Sequence, residues 1–569
     1  MSLASVPPAL LLILGAVLLP LIAPRWRLVV LLGLPLASLA QIWHLPDGVV
    51  LSGEFLGFAV APLQVDALSR VFGTVFSITA FAGALFAYRH ASLLEMCSAL
   101  LYAGAALGVV FAGDLLSVFV YWELMAIGST LVLWSAGTAR AWRASLRYLM
   151  VHLFGGVVLM VGVTGWAVAD GDLSFRAMSA ALDGGGARAL AAAFILAGFL
   201  LNAGAPPLSA WVADAYPEAS PSGAVFLSAF TTKTAVYVLI RGFPGAEILI
   251  GVGLFMVFYG IVYALLENDI RRILVYSIVN QVGFMVTAVG IGTELALNGA
   301  AAHAFAHIIY KALLLMSAGS VLLMTGKRNC TDLGGLVQSM PLTAVCGVIG
   351  ALSIASFPLT SGFVSKSMIV DAAAHEHLAL AWSLLAAASA GAFLYVGLKY
   401  PWFVFFDRDC GLRPPDPPLF MSAAMVMLAV LCIGLGVAPG VLYAMLPHTV
   451  DYVPYTGAHV VSQLQLLLFA GVAFFALLPR LRPTLTITLD ADWFYRRFPD
   501  LVLAVVAPPA RLLWRALGES VRDRLMRAGR YFARCYGARE GIASVTGSGS
   551  MAIAALSVFG GMLLYFFLR

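Results

Sequence analysis

Apolar runs of about 17 to 25 residues recur from the first residues almost to the last, and they are continuous rather than alternating. Each can cross a hydrocarbon core roughly 30 Å thick. Inside that core no water satisfies the backbone, so only helices or closed barrels span it, and unbroken apolar runs predict helices. About 14 to 16 spans are expected, making an all-α polytopic membrane bundle. The start, PPALLLILGAVLLPLIA, has no basic residue ahead of its apolar run and leads straight into a second run. It reads as the first membrane helix rather than a cleaved signal.

Two spans are interrupted. In LLNAGAPPLSAWVADAYP, Pro206 and Pro207 stand where a membrane helix should be regular. Proline removes a donor and clashes with the preceding turn, so the freed carbonyls need other partners. FPLTSGFVSK, with Pro358, repeats the pattern about 150 residues later: proline, small residues, then an aromatic. Paired interruptions predict duplicated halves around a mid-membrane ion site. The expected organisation is N-terminal helices over 1–95, a first repeat over 96–265, a second over 266–410, further core helices over 411–480, and an amphipathic surface segment with a last anchor over 481–569.

Composition agrees: the chain is 62% hydrophobic and 11% charged, with a mean hydropathy of +0.96. The net charge of +5 says little, but the kind of basic residue says more. Of 33 basic residues only five are lysine: Lys233, Lys311, Lys327, Lys366 and Lys399. Lys233, Lys311 and Lys366 fall in or beside apolar stretches, whereas Lys399, next to a Tyr-Pro-Trp belt, reads as snorkelling to an interface. Arginine cannot change protonation state in a protein; a desolvated lysine can. Ionisable groups at membrane depth are functional candidates with partners to be found. Glu123, in LLSVFVYWELMAIGSTLVLW, must be paired or protonated. His303, His307 and Lys311 stand at i, i+4 and i+8 on one helical face, which reads as a proton relay.

The six cysteines are scattered without metal-ligand spacing, so no metal site is expected. Phosphate loops, nucleotide fingerprints and nucleophile elbows are missing, so no cofactor is expected on this chain, and no nucleic acid partner. Redox or nucleotide chemistry would belong to a partner.

YWELM, APPLSAWVADAYP, LSAFTTKTAVYVLIR, DIRRILVYSIVNQVGF, HAFAHIIYKALLLMSAGSV and FPLTSGFVSK occur in this order between about residues 55 and 410, with QVDALSRVFG as a weaker seventh motif. Together they resemble the antiporter-like subunits of respiratory complex I and the D-type subunits of the multisubunit Na+(K+)/H+ antiporters called Mrp. The resemblance implies 14 core helices, with helices 4 to 8 and 9 to 13 as inverted repeats and a buried proton path at mid-membrane. It assigns Glu123 to the helix 5 glutamate, Lys233 to helix 8, and His303, His307 and Lys311 to the helix 11 relay. Lys366 falls on the terminal residue of broken helix 12, which leads to one side of the membrane. Tyr276 and Ser277 match helix 10, as hydrogen-bond partners for water. One expected residue is missing: the helix 7 lysine that pairs with the helix 5 glutamate is Asn202 here. A switch in which that lysine moves between glutamate and central lysine cannot run in that form. Where the L-type pattern of complex I carries arginine and aspartate on helix 6, this sequence reads RYLMVHLFGG, with His152 near the arginine position and no carboxylate after it. That favours a D, M or N type over the L type.

After a fifteenth helix (Leu464 to Leu478), Pro508 to Glu540 carries eight arginines largely off a stripe of Leu513, Leu517, Val521, Leu525 and Phe532. This describes a surface amphipathic helix, and Met551 to Leu568 reads as an anchor. The basic segment is expected on the cytoplasmic side of a bacterial inner membrane. The leading expectation is a proton-translocating subunit working with other membrane subunits, coupled to Na+ or K+ exchange. The alternatives are a pumping subunit of a redox-driven complex, which would be an enzyme only as part of that complex, and a non-pumping structural subunit.

Overall fold

The computed structural model describes residues 6–485 continuously and, beyond them, 490, 491 and scattered positions from 493 to 562. It comprises two units, Met1–Asp492 and Trp493–Arg569. Among the described residues thirteen helices are long and apolar enough to cross a membrane, and two shorter apolar helices accompany them. The chain is an all-α polytopic membrane protein.

In chain order the helices are α1 (Pro8–Leu18), α2 (Pro24–His44), α3 (Ala67–Ala87), α4 (Leu93–Phe111), α5 (Leu115–Trp134), α6 (Ala139–Asp170) and α7a (Gly186–Ala203) with its continuation α7b (Ala210–Ala215). Then come α8 (Pro221–Gly242), α9 (Ile248–Leu266), α10 (Ile270–Ile291), α11 (Glu294–Thr325), α12a (Pro341–Ile354) with α12b (Ser361–His375), α13 (Ala379–Phe406), α14 (Leu419–Val437) and α15 (Gly457–Ala476). With 11 residues, α1 is shorter than a span needs. The exception to the helical pattern is a hairpin, β1 (Gly48–Phe55) and β2 (Phe58–Val65), turning at Leu56 and Gly57, both with positive φ as its tight two-residue turn requires. Its Ala61 carbonyl and amide bond Gly113 N and Asp114 Oδ2, ahead of α5.

Small residues let the helices close up. A Cβ on Gly283 of α10 would sit 2.6 Å from the Gly253 carbonyl oxygen of α9, so the two backbones touch there. From Ala296 to Val321, α11 is buried, which makes it the centre of the bundle. Ion pairs tie neighbouring elements: Arg147 of α6 holds Asp214 of α7b, and Arg328 holds Asp269 and Glu218. Buried Arg271 donates to the carbonyls of Ala219 and Ser220.

Both predicted interruptions are present, and side chains satisfy carbonyls they free. At the first, Gly204 takes a left-handed conformation (φ 79°) and Trp211 Nε1 donates to Leu201 O at 3.1 Å. At the second, Lys366 Nζ donates to Ile354 O at 2.8 Å. A third irregularity, at Phe230 inside α8, lets Lys233 Nζ reach Ser228 O at 2.7 Å.

In the second unit, 522–531 and 556–562 are helical. Scattered positions between 504 and 519, with 534 and 553, are helical too, and the other residues of the expected amphipathic helix and last anchor lie outside the described residues.

Candidate proton pathway

Glu123 is half-buried on α5, and a Cβ built on Gly156 of α6 would collide with its Oε1, which has no hydrogen-bond partner among the described residues. It lines a cavity of about 1100 Å³ with Phe119, Leu153, Gly156, Thr164 and Phe194. Asn202, the last-turn residue of α7a, is buried beside His152, and its Oδ1 has no well-aligned hydrogen bond among the described residues.

Lys233 lies wholly inside α8, and its ammonium also reaches Thr232 Oγ1 at 3.0 Å. On α11, Lys311 donates to Ser277 Oγ and to Leu274 O at 3.2 Å. His303 bonds Ser365 Oγ at 3.0 Å through Nδ1 and Gln281 Oε1 at 3.1 Å through Nε2. The Tyr310 hydroxyl donates to the same Gln281 oxygen at 3.2 Å. His307 is buried with neither ring nitrogen bonded, within electrostatic reach of Lys233, Lys311, His303 and Lys366. Lys366 stands 4.9 Å from the Phe284 ring centroid. It opens on a second cavity, of about 660 Å³, shared with Asp371, His375, Asp451, His459 and Gln463. Among the described residues every ion pair uses arginine or histidine, so the buried lysines bond carbonyls and hydroxyls rather than carboxylates.

The structure thus brings Lys233, His303, His307, Lys311 and Lys366 together, with Ser277, and sets Glu123 at the α5–α6 contact. Tyr276 is turned elsewhere: its hydroxyl donates to Asp490 Oδ2 at 2.6 Å, where Tyr259 also bonds. The cause is helical phase. Tyr276, Asn280, Gly283 and Thr287 form the stripe of α10 facing α9, while Ser277 and Gln281 form the adjacent stripe facing α11. Gln281, one turn after Ser277, was findable by that spacing. Asp451 and His459 carry no such signal, since they reach the second cavity from the segment before α15 and from α15 itself. Lys399 does not snorkel. It is 2% exposed and donates to the carbonyls of Ala264, Leu265 and Glu267, which α9 leaves open at its C-terminus.

The family model described as NADH:quinone oxidoreductase/Mrp antiporter, transmembrane, matches residues 112–393. The D-type subunit of the Na(+)/H(+) antiporter of Alkalihalophilus pseudofirmus is 32% identical over 344 residues, 58% of this chain and 68% of that one. The N-type subunit of the NADH-quinone oxidoreductase of Desulforudis audaxviator is 30% identical over 301 residues, 50% of this chain and 57% of that one. In structure, a chain of the Mrp complex from Dietzia sp. superposes with a TM-score of 0.67 at 22% identity, over 82% of this chain and 98% of that chain. A chain of the membrane-bound sulfane sulfur reductase, an archaeal respiratory membrane complex, gives 0.69 at 24% identity, over 82% and 99%. These two likenesses are of fold.

Proposed function

Since the chain belongs to the NADH:quinone oxidoreductase/Mrp antiporter family and is an antiporter-like membrane subunit, we propose that it moves protons across a bacterial inner membrane within a larger complex. The path runs among Glu123, Lys233, His303, His307, Lys311 and Lys366 through water, and it is coupled to Na+ or K+ exchange. The carrying observation is that three buried lysines and two buried histidines stand together with no carboxylate partner among the described residues. A lysine held by neutral groups keeps its proton exchangeable, whereas a carboxylate would trap it. The second cavity supports Lys366 as the residue that meets one side of the membrane, and its titratable lining suits proton entry or exit. The two interruptions support two repeats, 96–265 and 266–410, each built around its own break. Other membrane subunits of the complex are the partners, and the basic C-terminal segment faces the cytoplasm.

The test is cation-driven proton movement in vesicles carrying the assembled complex. Lys233→Ala and Lys366→Ala are expected to abolish it, and transport at the unmodified rate in both variants overturns the reading. A second reading, a structural subunit with a closed half-channel, is favoured by one observation, Asn202 in place of the helix 7 lysine. It predicts that Asn202→Lys opens proton conductance.

A further inference from the structure

We propose that His152 carries the proton between Glu123 and Lys233, doing from α6 what a lysine at position 202 would do from α7a. This rests on the proton-translocating reading above.

The carboxyl of Glu123 rests against Gly156, and Gly156 lies one turn from His152 on the same face of α6. Side chains so spaced are separated by about 5–6 Å between Cβ atoms, a gap that one water can bridge. Glu123 Oε1, near Gly156, makes no hydrogen bond among the described residues, and His152 Nε2 and Asn202 Oδ1, which lie beside each other, make no well-aligned one. His152 is 2% exposed and Asn202 1%. Unsatisfied buried groups beside a helix break are the partners that an ordered water needs.

Aromatic packing links the imidazole to the helix that carries Lys233. Its ring centroid is 4.0 Å from that of Tyr148, whose hydroxyl donates to Ser129 Oγ at 2.9 Å and stands 3.5 Å from Thr231 Oγ1. Thr231 is two residues before Lys233 and shares a 2.5 Å bond with the Tyr102 hydroxyl. Trp211 packs edge-on against the imidazole at 4.6 Å while spending its own N–H on Leu201 O. The ring is therefore held by its faces and edges, and that leaves its chemistry free. Imidazole takes a proton on one nitrogen and releases one from the other, so a proton passes from the Glu123 carboxyl toward the Lys233 amine with no other bond changed.

His152→Phe keeps the aromatic stack and removes the exchangeable nitrogens. In the assembled complex it should lower cation-driven proton uptake by about a hundredfold or more. Adding Asn202→Lys to that variant should restore uptake, which no packing role for His152 accounts for. Uptake at the unmodified rate in His152→Phe overturns the proposal, as does a loss that Asn202→Lys leaves unrepaired. If His152→Phe does not assemble, His152→Gln is read by the same two criteria. Full activity in Lys233→Ala and Lys366→Ala sinks the underlying reading; loss in those two with full activity in His152→Phe sinks only the role of His152.

Discussion

Gly283→Ala should loosen the bundle without touching the proposed proton path. The added Cβ would stand 2.6 Å from Gly253 O and 2.8 Å from Val257 N. Restoring 2.6 Å to an ordinary 3.4 Å contact needs a displacement of about 0.8 Å. The helix that yields is α9, because Ile248, Phe255, Val262 and Leu266 on its outer flank are exposed while α10 is walled in by α11. That movement strains the Asn280 Nδ2 to Val257 O bond of 2.8 Å and the packing along the whole contact. Overpacking of this kind costs about 1–3 kcal/mol. Gly251→Ala is the control, on the yielding helix α9 but with nothing within 4 Å of its added Cβ. The assay is detergent unfolding of the purified complex, followed with cation-driven proton uptake below the melting range. The expected result is a lower midpoint for Gly283→Ala alone, with uptake preserved, because Ser277 and Gln281 face α11 and not α9. Coincident unfolding curves for the two variants refute the close-packing argument.

Other perturbations test single contacts. Trp211→Phe removes one of two donors to Leu201 O, which keeps the Gly204 amide, so thermal unfolding should report a loss of about 0.5–1.5 kcal/mol. Lys399→Met strips three bonds from the α9 C-terminus, and a comparable or larger loss is expected in the same measurement. Burial raises the Asp66 pKa, but the 2.5 Å pair with Arg241 and the bonds from Ser69 outweigh it and hold the carboxyl below its ordinary 3.8. A depressed acid stabilises the fold above its unfolded value and loses that contribution as pH falls through its folded value. The melting temperature should therefore drop below about pH 4 in the unmodified protein, and Asp66→Asn should flatten that part of the curve.

Much of this was legible in the chain because membrane depth leaves few choices. Continuous apolar runs predict helices for lack of any other way to satisfy the backbone, and the prolines at 206, 207 and 358 announce the breaks. Lys233, Lys311 and Lys366 stood out because an amine among Leu, Ile and Phe needs a reason. Less legible was anything set by partners distant in sequence. The hairpin at 48–65 sits between two helical spans and turns on Leu56-Gly57, a weaker signal than Asn-Gly. Lys399 resembled an interface anchor because its neighbours are Tyr400 and Trp402, while its partners lie on α9. Tyr276 and Ser277 are adjacent in sequence, yet about 100° of helical rotation gives one to Asp490 and the other to Lys311.

The backbone irregularities and the lysines explain one another. A break in a membrane helix frees carbonyls that must find donors, and at α8 and α12 the donor is a lysine from the far side of the irregularity. An amine keeps N–H groups in both protonation states, so it can release its proton without orphaning the carbonyl it holds. Tryptophan at α7 satisfies its carbonyl equally well but has no proton to give. On the proposed proton path the exchangeable group at that break comes from elsewhere, and the imidazole against the Trp211 ring is His152. The Trp211 side chain that reaches Leu201 O across the interruption thus also fixes where the proposed substitute for a lysine at position 202 stands.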